Sequence, residues 1–156
     1  MRIRRNTYEK VCHLISSNIR DKVKHHSHVV LGLATGSTPI GIYEKLSKMR
    51  NTNFGDTITF NLDEYVGIDK NHDQSYQYFM NKHLFSNLNF RKHYFPTEEN
   101  HNEYDLMIKN SGGIDIQILG IGTNGHIAFN EPGSNRYSST RIVDLTENTI
   151  KDNSRF

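Results

Sequence analysis

The sequence predicts an α/β protein built on an open parallel sheet with helices on both faces. Three observations carry that reading. Short, continuously apolar runs such as Val29-Val-Leu-Gly-Leu33 have the composition of strands covered on both sides. Each is followed by an amphipathic stretch at helical spacing, and alternation of strand with helix implies parallel pairing through crossovers. Each apolar run also ends in a loop rich in glycine, hydroxyl, amide or carboxylate groups. In an open α/β sheet those loops share one rim, where ligands bind.

Taken in order, Asn6-Thr-Tyr-Glu9 resembles a capping box, and Val11, Leu14, Ile15, Ile19 and Val23 recur on one face, so residues 7–24 are expected to be helical. His25, His26 and His28 follow as a solvated turn, since their spacing with no acidic partner nearby suits no metal. Val29–Leu33 is the first strand. Pro39 then suits a first helical position ahead of Ile40, Tyr43, Leu46 and Met49. Thr57-Ile-Thr-Phe-Asn61 is the second strand, residues 74–88 and 103–109 are helices, and residues 115–119 form a third strand. Thr146 has the character of an N-cap for a helix starting at Glu147.

A chain of 156 residues amounts to one domain, 1–156, and domains of that size bury about 68–70% of their unfolded surface. Its 35% apolar content lies below the roughly 45–50% usual for globular domains, so a thin or incomplete core is expected. With 19 Lys and Arg against 17 Asp and Glu, and no interleaving of basic with aromatic residues, no nucleic-acid partner is expected. The single cysteine, Cys12, forms no internal disulfide and supplies no metal cluster alone. No apolar run approaches the ~18 residues of a membrane span, and Met1-Arg-Ile-Arg-Arg5 leads into a polar stretch, so the expected location is cytoplasmic. The oligomeric state is left open, a homo-oligomer included.

Three rim loops carry the chemistry. In the first, Ala34-Thr-Gly-Ser-Thr-Pro39, Thr35, Gly36, Ser37 and Thr38 lead into a helix N-terminus, whose free N–H groups and positive dipole end suit a phosphate. The loop lacks the Gly-Lys-Ser/Thr of a nucleotide P-loop, and taken alone it reads equally well as an ordinary capping loop. The second, Asn61-Leu-Asp-Glu-Tyr-Val-Gly67, presents Asp63 and Glu64 directly after a strand. Adjacent side chains there point to opposite faces, so at most one carboxylate faces the rim as a general base. The third, residues 118–134, runs through Gly120, Gly122 and Gly125 into Asn124, His126 and Glu131. Histidine titrates near neutrality and suits proton transfer, and a carboxylate five residues on suits fixing its tautomer and its charged form. Either the glycine run or the histidine alone would be an ordinary turn feature; both together at a strand end favour a catalytic loop. No dinucleotide fingerprint, haem ligand set or zinc spacing competes, so neither cofactor nor metal is expected.

Five segments in order, residues 31–39, 60–67, 73–76, 119–132 and 153–156, resemble the motif set of the glucosamine-6-phosphate deaminases. The resemblance implies a Rossmann-like sheet and conversion of the phosphosugar glucosamine 6-phosphate to fructose 6-phosphate and ammonia, by ring opening, aldose–ketose isomerisation and loss of the amine. By motif it makes Asp63 the base at C2. It gives His126 the ring-opening proton, oriented by Glu131 and Asn124, and leaves the phosphate to Thr35, Gly36, Ser37, Thr38 and Arg155. Asn124 stands where some members carry aspartate. Arg141 keeps one position of the basic pair that allosteric members use, while Val143 stands at the other, so allosteric activation is not expected. The segment between Pro96 and Tyr104 is shortened. The family sequence runs on past the equivalent of Phe156 with further strands and a lysine that contacts the phosphate, and the chain is read as a C-terminally truncated member. Two alternatives stand beside this. The 6-phosphogluconolactonases share the first loop and a Gly-His motif, but they typically carry arginine at the position of Tyr65 and lack the Phe129-Asn-Glu-Pro132 continuation. The other is a non-catalytic phosphosugar-binding remnant.

Overall fold

A computed structural model of the protein describes residues 5–153. Helix α1 (Tyr8–His25) leads into β1 (Val29–Leu33), then α2 (Ile40–Ser47), β2 (Thr57–Asn61) and α3 (Tyr76–Met80), which continues as a π-helical turn over Asn81–Phe85. After it come β3 (Lys92–Tyr94), α4 (Tyr104–Asn110), β4 (Ile116–Gln117) and α5 (Glu147–Asn153). The sheet order is β3-β2-β1-β4, and every pairing is parallel.

The reading of the two central strands holds to the residue. All five positions of β1 and of β2 are buried, because each has a neighbour on both edges and cover on both faces. Val29, Leu31 and Leu33 point into a core shared with Cys12 and Ile19 of α1, Tyr43 and Leu46 of α2, and Met80 and Leu84. On the other face Val30, Ile58 and Phe60 pack with Tyr104 of α4. The helices therefore lie on both faces, as expected, with the smaller cluster under α4.

Elsewhere the elements shift for identifiable reasons. The N-cap of α1 is Thr7 rather than Asn6, its hydroxyl accepting from Lys10 N at 3.4 Å. Ser75 caps α3 by accepting from Gln77 N and Tyr78 N, so the helix expected over 74–88 starts at Tyr76, and its second half widens into the π turn. Strand β3 was not expected, because Lys92-His-Tyr94 is a polar edge segment without an apolar signature. In place of the strand expected over 115–119, β4 comprises two residues. Asp115 N and Ile118 N extend its bonding to β1 at 2.8 and 2.9 Å, but Leu119 leaves the sheet and is 53% exposed. The three histidines near residue 26 bind backbone instead of one another: Nδ1 of His25 pairs with Asp21 O, Nδ1 of His26 with Lys22 O, and Nε2 of His28 with Ser111 O.

This order fixes where a ligand can sit. The chain moves outward from β1 to β2 to β3 and then returns to β4 on the opposite side of β1. The loops after β1 and β4 therefore diverge and open a crevice beyond the carboxyl ends of the strands, the usual binding position in doubly wound sheets.

Candidate active site

All three loops reach that crevice. A cleft of about 220 Å³ is lined by the loop after β1 (residues 34–38), by Asp63 and Tyr65 after β2, by Tyr76, and by Gly122, His126 and Phe129 after β4.

The first loop is pinned from behind. Tyr43 Oη donates to Ala34 O, and Tyr8 Oη donates to Thr38 O at 2.9 Å while accepting from Gly41 N. Gly36 adopts the left-handed region at φ +87°, which turns the chain into α2 and leaves Ser37 and Thr38 exposed on the rim. Pro39 precedes α2 with no side-chain cap, so the hydroxyls of the loop are not spent on it. Arg155 lies outside the described residues.

In the second loop the two carboxylates part company. Glu64 turns to the start of α3: its Oε1 accepts from Tyr65 N and Tyr76 N, and its Oε2 from Ser75 Oγ and Gln77 N, at 2.9–3.0 Å. Asp63 faces the cleft. Burial, with the charge of Glu64 next to it, pushes its carboxyl up to about 7. A carboxylate of that proton affinity is poised for general-base work near neutral pH. Glu64→Gln would turn an amide donor against N–H groups that need an acceptor. We expect it to destabilise the fold by about 1–3 kcal/mol in urea titrations, while Lys82→Ala on the exposed side of the following π-helical turn leaves the midpoint unchanged.

An aromatic cluster ties the loops together. Tyr65, Tyr76 and Phe129 lie 5.0, 5.2 and 5.7 Å apart between ring centroids. Burial, and then the charge of Asp63, hold the Tyr76 phenol neutral, well above the ordinary range. Its hydroxyl lies 3.4 Å from that of Tyr65 and accepts from Asn153 Nδ2 of α5 at 3.5 Å.

The third loop folds on itself. Gly122 N donates to His126 O at 2.8 Å, and Gly125, at φ +90°, donates to Gly122 O. Nothing larger than glycine fits at 122, because a Cβ would overlap the His126 ring. Ala128 holds φ +52°, a sparsely populated conformation for a residue with a side chain. Asn124 Oδ1 accepts from His126 N at 3.1 Å, and its Nδ2 donates to Glu131 Oε2 at 2.7 Å. Glu131 Oε1 also accepts from Thr146 N and Oγ1, at 3.2 and 3.1 Å. The Thr149 hydroxyl, with Thr146 and Asn124, holds the Glu131 carboxyl down to about 2. His126 Nδ1 faces Thr149 Oγ1 at 3.4 Å. Asp63, Asn124, His126 and Glu131 are thus assembled at one end of the sheet, and the contact between His126 and Glu131 runs through α5. Thr146, Thr149 and Tyr76 belong to this site and were not named as site residues from the sequence, Thr146 being read there only as a helix cap. The available signal was position: Thr149 stands three residues after the expected cap, one turn along the same face.

A larger groove of about 860 Å³ shares Asp63, Tyr65, Ala128 and Phe129 as a wall and extends away from the cleft past Glu98, Glu99, Asp105 and Arg141. Among the described residues no group of three or more His, Cys, Asp or Glu side chains is arranged to hold a metal, and no helix is long and apolar enough to cross a membrane.

Comparison with known proteins covers nearly the whole chain. A family model described as glucosamine-6-phosphate isomerases/6-phosphogluconolactonase matches residues 4–154. The chain is 51% identical to a glucosamine-6-phosphate deaminase of Mycoplasma mycoides subsp. mycoides SC, covering 95% of this chain and 64% of that one. It is 44% identical to glucosamine-6-phosphate deaminase 2 of Bacillus subtilis, covering 96% and 64%. The chain therefore spans a little under two thirds of the length of these relatives. Among solved structures, a monomeric glucosamine-6-phosphate deaminase superposes with a TM-score of 0.92 at 36% identity, covering 98% of this chain and 68% of that one. A 6-phosphogluconolactonase from Thermotoga maritima superposes with a TM-score of 0.68 at 25% identity, covering 81% and 61%.

Proposed function

The chain belongs to the family of glucosamine-6-phosphate isomerases and 6-phosphogluconolactonases, and we propose that it converts glucosamine 6-phosphate and water to fructose 6-phosphate and ammonia. The observation that carries this reading is the convergence on one cleft of a carboxylate of near-neutral proton affinity, Asp63, with a histidine linked to an ionised carboxylate, His126 and Glu131.

The chemistry follows from what those groups can hold. The phosphate sits on the first loop, Thr35 to Thr38, at the N-terminal end of α2. His126 takes the O1 proton of the cyclic sugar; the C1–O5 bond breaks as C1=O forms, and the same proton is returned to O5. With the amine entering as ammonium, Asp63 then removes the C2 proton while one amine proton passes to O1, giving an enolamine, and Asp63 returns its proton to C1, leaving an iminium at C2. Water adds at C2 and ammonia leaves, so the atoms balance without an oxidant or reductant. Asn124 and Glu131 act by orienting His126. We place this reaction in the cytoplasm, as one domain spanning residues 1–156, with phosphosugar as its partner and a homo-oligomer as the alternative to a monomer.

The lactonase reading shares the first loop and the histidine. Against it stand Tyr65, which packs on Tyr76 and Phe129, and Glu131, which is held by three neighbours. A lactone hydrolase has no evident use for a base reaching C2. The experiment is a coupled assay on the intact protein, with glucosamine 6-phosphate as substrate and both ammonia and fructose 6-phosphate measured. Release of the two in equal amounts is expected. Hydrolysis of 6-phosphogluconolactone without ammonia would move the assignment to the sister group, and phosphosugar binding without turnover would leave a binding protein.

A further inference from the structure

The hydroxyl of Thr149 is buried, 2% exposed, in a place where hydroxyls need partners. Among the described residues it finds them in the groups around His126. Thr146 Oγ1 lies 3.1 Å away, His126 Nδ1 3.4 Å and Asn124 Nδ2 3.5 Å, while Thr149 N donates to Thr146 Oγ1 at 3.3 Å. Nothing in the glycine-rich loop itself occupies Nδ1 of the histidine. The residue that does so comes from α5, 23 positions later in the chain.

The ionised Glu131 carboxylate, which the Thr149 hydroxyl also bonds, gives this contact a direction. An ionised carboxylate only accepts, and each hydroxyl has one proton to give. Thr146 Oγ1 lies 3.1 Å from Glu131 Oε1 and 3.1 Å from Thr149 Oγ1. With Glu131 ionised, the hydroxyl protons turn toward it, that of Thr149 either directly or by way of Thr146. Along either route the proton of Thr149 points away from the histidine, and its oxygen lone pair faces Nδ1. The neutral imidazole must then carry its proton on Nδ1, which leaves Nε2 unprotonated on the side of the ring lying against Gly122 and the cleft.

We propose that Thr149 is a positioning residue that sets the tautomer of His126, linking Nδ1 to the Glu131 carboxylate so that Nε2 is the nitrogen presented to the substrate. The proposal rests on the reading that His126 handles the ring-opening proton. It adds the reason that this histidine is competent: the other neutral tautomer would put N–H where a lone pair is needed to receive the O1 proton. Once Nε2 is protonated, the imidazolium keeps its Nδ1–H on Thr149, and Glu131 stabilises the charge through the hydroxyl, so no proton needs to pass along the chain.

The test compares Thr149→Val, which keeps the shape and removes the hydroxyl, with Thr149→Ser, which restores it, in the intact protein. Nitrogen-15 NMR of the His126 ring reports the tautomer without any substrate. The expected result is a Nδ1–H ring in the wild type and in Thr149→Ser, and a shift toward Nε2–H in Thr149→Val. Turnover of the cyclic sugar should fall about tenfold or more in Thr149→Val, mainly in kcat, with recovery in Thr149→Ser. A wild-type ring spectrum in Thr149→Val overturns the proposal whatever happens to the rate, since a rate loss alone would mean only that α5 had moved. If Thr149→Val does not fold, a Nε2–H ring in the wild type or in Thr149→Ser overturns it equally. A protein that releases no ammonia but shows the tautomer change would reject the deaminase reading and keep this one.

Discussion

Asp63→Asn is expected to lower turnover of glucosamine 6-phosphate by about 10²–10⁴-fold while phosphosugar binding stays near wild type, because the amide keeps the shape of the side chain and removes the base. The decisive measurement is exchange of the substrate's C2 proton in deuterated water, followed by NMR. Exchange should cease in the variant, and wild-type exchange there would sink the assigned role. In the wild type, kcat/KM should rise with pH through about 7 as Asp63 loses its proton, whose affinity is raised first by burial and then by Glu64. Stability should run the other way. A carboxyl at about 7 in the fold and near 3.8 unfolded binds more protons when folded, so folding stability falls as the pH rises from about 4 through 7. Asp63→Asn removes that penalty. The variant should therefore resist urea better than the wild type at pH 8, by up to a few kcal/mol, and the two should converge toward pH 4. A catalytic group that destabilises the protein carrying it is the expected cost of holding a half-buried carboxylate in the wall of a cleft.

How far the residues announced this arrangement depended on what kind of contact fixes each part. Strands β1 and β2 were legible because burial on both faces leaves an unbroken apolar run, and the loops after them because glycine and hydroxyl groups cluster where strands end. Strand β3 was silent: an edge strand of three residues with two exposed needs no apolar pattern, and its pairing to β2 is a property of the sheet, not of the segment. The pleat argument said that only one of Asp63 and Glu64 could face the rim, but not which one. The choice is made 11–13 residues away, where Ser75, Tyr76 and Gln77 offer a hydroxyl and N–H groups that a carboxylate can satisfy. The pairing of His126 with Glu131 was legible as a spacing, yet its route was not. Thr149 reaches the histidine by the packing of α5 against a loop that precedes it by more than twenty residues, and no local pattern encodes that.

Gly122→Ala is expected to be the most damaging change that removes no functional group. The backbone at 122 is not left-handed, so alanine brings no conformational strain of its own. Its Cβ, however, would overlap Cε1, Nε2 and Cδ2 of His126. The overlapping atoms belong to the imidazole ring itself, and moving it gives up the contact of its Nδ1 with Thr149. The ring has to swing out of register or the loop has to open, and either outcome removes Nε2 from the position that reaches the sugar. Misplacing a catalytic group by about 1 Å can cost on the order of 10²-fold, and losing it entirely up to about 10⁴-fold, so kcat should fall within that range. Binding of the substrate's phosphate should survive, since the loop after β1 is untouched. Gly120→Ala separates a local clash from a general intolerance of the loop, because a Cβ at 120 meets nothing within 4 Å. It should leave the His126 ring resonances where they are, whereas Gly122→Ala should shift them. A Gly122→Ala protein with wild-type kcat and unshifted His126 resonances would mean that the ring is not held as described, and that the proton-handling nitrogen is free to find its place only when substrate arrives.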